Sequence, residues 1–76
     1  MQSVNILLDT IDKVRRFVNA INLLEGDFDI VSDRYIIDAK SIMGIFSIDL
    51  SKPIKLNVHS EESFEKIKTD FQDFIA

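Results

Sequence analysis

Apolar side chains recur along this chain with two periods, and turn-forming residues stand where one period gives way to the other. Val4, Ile6 and Leu8 alternate with Ser3, Asn5 and Leu7, the two-residue period of a half-buried strand over residues 3–8. Asp9 and Thr10 end it. Either suits the N-cap of a following helix, where a side-chain oxygen accepts a first-turn N–H, and Asp12 adds negative charge where the helix dipole favours it. Ile11, Val14, Phe17, Val18, Ile21 and Leu24 then recur at steps of three and four, with Asp12, Arg15, Arg16, Asn19 and Asn22 opposite. That pattern predicts an amphipathic helix to about Glu25, stopped by Gly26.

Alternation returns with Phe28 and Ile30 on one face of residues 27–31. Ser32-Asp33-Arg34 supplies a turn, and Tyr35 to Ala39 forms the second arm of a predicted hairpin. Next comes Ser41 at the start of a short helix whose apolar residues cannot all point inward. Ile45 and Ile48 are expected to turn to the sheet, leaving Ile42, Met43 and Phe46 exposed. Ser51-Lys52-Pro53 breaks that helix, because proline disfavours a helical residue before it. Ile54, Leu56 and Val58 alternate with Lys55, Asn57 and His59 in a last strand. Ser60 with Glu61 and Glu62 opens a closing helix carrying Phe64, Ile67, Phe71, Phe74 and Ile75.

The order βαββαβα, with no repeat or linker, predicts one α+β domain over residues 1–76. Its architecture is an open-faced two-layer sandwich, a four-stranded antiparallel sheet with three helices on one face. The other face should be polar through Asn5, Asp29, Asp38, Lys55 and Asn57. Leu7, Val31 and Ile36 are apolar exceptions there, scattered or marking contact with a partner or a second copy.

Composition narrows the function classes. Seventy-six residues, 46% hydrophobic and 29% charged, match a globular domain. No cysteine is present, which excludes disulfides, thiolate metal sites and thiol nucleophiles. A net charge of −4 argues against a phosphate-backbone binder, and Phe28, Phe64, Phe71, Phe74 and Tyr35 sit among acidic neighbours, unlike a base-stacking surface. With no leader pattern and no apolar run of membrane-spanning length, the expectation is a cytoplasmic protein with neither nucleic acid nor membrane as partner. The scattered aspartates Asp9, Asp12, Asp27, Asp29, Asp33, Asp38 and Asp49 lack the spacing of a calcium loop. With two glycines and one histidine, no phosphate loop, histidine pair or Ser/His/Asp set is expected, so metal and cofactor are both read as none.

The stretch Lys40-Ser41-Ile42-Met43-Gly44-Ile45-Phe46-Ser47-Ile48 resembles the Lys-Ser-Ile-Met-Gly-Val-Met-Ser-Leu segment of HPr, the histidine-containing phosphocarrier of the bacterial sugar phosphotransferase system. The element order is also that of HPr, and the resemblance covers nearly the whole chain. It implies an HPr-like fold, with Ser41 in the place of the serine that an ATP-dependent HPr kinase phosphorylates. It further implies that Ile42, Met43 and Phe46 correspond to the apolar patch on which HPr docks its protein partners. Apart from the resemblance, Arg15 on the first helix is read either as part of a solvated helix face or as positive charge for an acidic partner surface or a modified Ser41. The carrier chemistry departs from the family. Gly-x-His-x-Arg-Pro is its motif, and counting back from Ser41 places Thr10 at the histidine, Asp12 at the arginine and Lys13 at the proline. Phosphoryl transfer needs a nucleophilic ring nitrogen and a basic neighbour, which a threonine between two aspartates does not provide. His59, the one histidine, is expected at a strand end remote from Thr10 as a solvated or locally hydrogen-bonded residue.

The reading is therefore a non-enzymatic HPr-like phosphoprotein, monomer or weak homodimer, that binds a protein partner through its short second helix in carbon regulation. Its alternatives are a phosphotransferase component with an atypical acceptor and a structural, dimerising module.

Overall fold

The computed structural model describes residues 2–33 and 35–76, so Arg34, assigned above to the hairpin turn, lies outside the described residues. The elements are β1 (Gln2–Ile6), α1 (Ile11–Ile21), β2 (Phe28–Ser32), β3 (Tyr35–Asp38), α2 (Ile42–Phe46), β4 (Ile54–Val58) and α3 (Glu61–Asp70). They form an HPr-like α+β fold, βαββαβα, with one antiparallel sheet in the order β1-β4-β2-β3.

Register explains why alternation in the sequence becomes a two-faced sheet. Val4, Leu56, Ile30 and Ile37 lie in one cross-strand row, and Val58 and Phe28 stand in the next. Those rows face the helices. The intervening rows, Asn5-Lys55-Val31-Ile36 and Ser3-Asn57-Asp29-Asp38, face away. A slip of one residue would exchange the two sets, so burial of one face specifies the register. Val14, Phe17, Val18 and Ile21 of α1, Ile45 of α2 and Ile67 of α3 are buried against the inner rows. Beside them the Phe17 ring meets Phe71 and Phe74 edge-on at 5.8 and 5.7 Å, an arrangement that aromatic quadrupoles favour.

Several expected boundaries move. The first strand closes at Ile6, although Leu8 is still buried. The first helix ends at Ile21, capped by Asn22, instead of running to Glu25, and Ile11 is 65% exposed instead of facing the core. The second helix ends at Phe46, capped by Ser47, before Ser51-Lys52-Pro53 can act as its breaker. Ile42 is half-buried and packs on the core, correcting its expected exposure. The closing helix stops at Asp70. Phe71 and Phe74 fill the core from a turn, which helical spacing alone could not distinguish from a longer helix.

The two sheet edges are treated differently. On β1, Leu7 N–H donates to the Phe74 carbonyl (2.8 Å) and Ala76 N–H to the Asn5 carbonyl (2.9 Å), with Ile75 bridging Ile6. Residues 74–76 thus cover the Asn5–Leu7 end of that edge. Against β3 no such segment pairs among the described residues.

Candidate functional site

Two helix starts carry the residues singled out by sequence. At α1, the Thr10 hydroxyl accepts the Lys13 N–H at 3.1 Å, with Thr10 in an extended conformation typical of an N-cap. Lys13 reaches back to Asp9 at 3.2 Å and Arg16 to Asp12 at 3.2 Å. Arg16 also lies over the Phe74 ring, 5.6 Å from its centroid. The nearest cations on this helix are thus matched by carboxylates, and the hydroxyl at position 10 serves the helix end. A group at Thr10 would meet no nucleophilic nitrogen, and Lys13 and Arg16 are already paired.

At α2, the Ser41 Oγ accepts the Gly44 N–H at 3.2 Å, so the N-cap role expected of this serine is the one it fills. A tight turn places it. The Asp38 carboxylate accepts the Lys40 N–H at 2.9 Å and the Asp38 carbonyl accepts the Ser41 N–H at 3.0 Å. A Cβ at Gly44 would stand 3.3 Å from the Ser41 Oγ, so the capping hydroxyl would have to give by a few tenths of an ångström. Ser41 itself remains exposed.

Lys40 plays a part that its place in the motif did not disclose. Its Nζ donates to the Leu24 carbonyl at 2.8 Å and lies 5.6 Å from the centroid of the Phe28 ring. This ties the start of α2 to the segment after α1 and turns the ammonium away from serving Ser41. Only the fold brings Leu24 to Lys40, sixteen residues away in sequence.

The helix presents its side chains in two directions. Ile45 is fully buried and anchors it, with Ile42 and Ile48 half-buried, whereas Met43 is 79% and Phe46 44% exposed. Helix α1 packs against α2 and carries exposed Ile11 and Arg15. Among the described ion pairs, Arg15 has none, unlike Lys13 and Arg16 on the same helix.

His59 follows β4, whose end pairs with the beginning of β1 at Gln2. Thr10 follows the other end of β1, so the two lie toward opposite ends of the sheet. The His59 Nε2 is 2.8 Å from the Asp29 carboxylate on the outer face, a local partner as expected. No group of three or more His, Asp or Glu poised for a metal occurs among the described residues. Nor is any described helix long and apolar enough to cross a membrane.

No family model matches the chain, and no curated protein matches it. Among solved structures it is similar to the crystal structure of HPr-C-His from Thermoanaerobacter tengcongensis. The match has a TM-score of 0.75 and 27% identity, over 90% of this chain and 84% of the other.

Proposed function

Starting from a chain with the HPr-like fold, we propose that it acts as a non-catalytic, protein-binding regulatory module of the bacterial cytoplasm, linked to sugar phosphotransferase control. The observation that carries this reading is the outward pair Met43 and Phe46 on a helix anchored by Ile45. An adaptable thioether and a large ring bury much area when they dock, and such residues are favoured at interface centres. The capped hydroxyl of Thr10, hemmed by paired charges, supports the loss of carrier chemistry.

Ser41 is the switch in this reading. Its exposed hydroxyl is open to a kinase, and a phosphate would add about 1.5 to 2 negative charges beside the docking residues. Arg15 is the cation available to an acidic partner or to that phosphate. Incubation with phosphoenolpyruvate and the general phosphotransferase enzyme should leave no acid-labile phosphate on the chain, and label on any residue, His59 included, would overturn the non-carrier reading. Treatment with an HPr kinase and ATP should add the mass of one phosphate to the native chain and nothing to Ser41→Ala. An unmodified native chain would remove the switch.

A further inference from the structure

The outward face of α2 carries the one sulfur atom among the described residues, and the chemistry of that sulfur is used by neither the fold nor the docking role. The chain has no cysteine, so no thiol competes for an oxidant, and its two thioethers are those of Met1 and Met43. Met43 is 79% exposed. Three residues on, at a neighbouring position of the same helix surface, stands Phe46, 44% exposed. The helix itself does not depend on the Met43 side chain. Ile45 is fully buried, Ile42 and Ile48 pack on the core, and the Ser41 Oγ caps the helix start by accepting the Gly44 N–H at 3.2 Å.

We infer, resting on the docking role of α2, that Met43 is a site of reversible oxidation by peroxides, at which one added oxygen makes the outward face polar and leaves the fold standing. The thioether sulfur donates an electron pair to one oxygen of hydrogen peroxide. An S–O bond forms as the O–O bond breaks, and the other oxygen leaves as water, so that sulfur loses the two electrons that peroxide gains. The product is a polar, chiral sulfoxide in place of a flexible apolar side chain. In a core such a group would be stranded without a hydrogen-bond partner, whereas at Met43 water solvates it. On docking, the same oxygen must give up that water beside Phe46, where a partner matched to an apolar face offers no donor. A thiol-dependent methionine sulfoxide reductase supplies two electrons and two protons, releases the oxygen as water and restores the thioether.

Phenyl-agarose serves as the apolar probe of this face, with elution in a falling salt gradient as the readout. Peptide mapping of the native chain after hydrogen peroxide should find one oxygen on Met43, gained as fast as on a free methionine amide in the same solution. The circular dichroism spectrum should not change. The oxidised chain should elute earlier than the untreated one, together with Met43→Asp. Treatment with the two reductases, one for each sulfoxide epimer, and dithiothreitol should return both its mass and its elution. Met43→Leu, apolar but without sulfur, should elute no earlier than the native chain and should stay there after peroxide. Oxidation of Met43 only after denaturation, an oxidised chain that elutes unchanged or unfolds, or a Met43→Leu chain whose elution shifts with peroxide, would each overturn the inference. Elution of Met43→Asp together with the native chain would count against the apolar face itself, and so against the docking role and this oxidation switch together.

Discussion

At the scale of single residues, hydroxyls of this chain are spent mainly on local backbone geometry. Thr10, Ser41 and Ser60 each accept an N–H three residues on and begin a helix. Ser41→Ala should therefore cost about 1 kcal/mol in chemical denaturation, whether or not a kinase acts there. A smaller device sits in the loop before β4. The Ser51 hydroxyl and N–H both donate to Asp49 Oδ1, at 2.6 and 2.9 Å, and hold that carboxyl below its ordinary value, the hydroxyl most of all. A carboxylate depressed in the folded state adds stability above the ordinary carboxylate range and loses it as pH falls through its folded value. Ser51→Ala should raise the Asp49 midpoint in a carbon-detected NMR titration, and an unchanged midpoint would deny the hydroxyl its role. Spacing marked the serine caps in advance. It said nothing of Lys40 and Leu24 or of His59 and Asp29, because those pairs are made by folding.

At the scale of elements, α2 is the one whose two faces separate stability from recognition. Ile45 has no exposed surface, and Ile45→Ala should cost about 2 to 5 kcal/mol through lost burial and the cavity left behind. Met43→Asp should change stability by no more than about 0.5 kcal/mol, since its side chain is mostly in water already. A partner captured by the native chain and released by Met43→Asp, with both variants compared by thermal melting, would distinguish docking from folding. Retention by Met43→Asp would count against α2 as the docking element. The sequence reading expected Ile45 inward and Met43 and Phe46 outward, as their exposures have it. It misplaced Ile42, since a five-residue helix ends before its periodicity can define a face.

At the scale of the whole molecule, residues distant in sequence close the structure. Strand β1 pairs with β4, Gln2 against Val58, so the sheet is incomplete until nearly all of the chain is in place. Phe74 then locks the core against Phe17 while its carbonyl takes the Leu7 N–H. Phe74→Ala should cost about 3 to 5 kcal/mol and speed amide exchange at Leu7, linking core packing to the covered end of the β1 edge. Exchange at Leu7 that stays as slow as in the native chain would show that end covered independently of the ring.

By itself the amino-acid order determined the type and sequence of the elements, which face of each strand is buried, and the departure of Thr10 from a carrier histidine. Periods of two and of three to four report burial locally, and a substituted residue type is visible without coordinates. Tertiary structure alone decided where the helices stop, that Phe71 and Phe74 fill the core from a turn, that Lys40 is tied to Leu24, and that residues 74–76 return to cover one end of the β1 edge. Each of these depends on which distant segment arrives to meet a backbone group or cover a ring, and no local pattern carries that information.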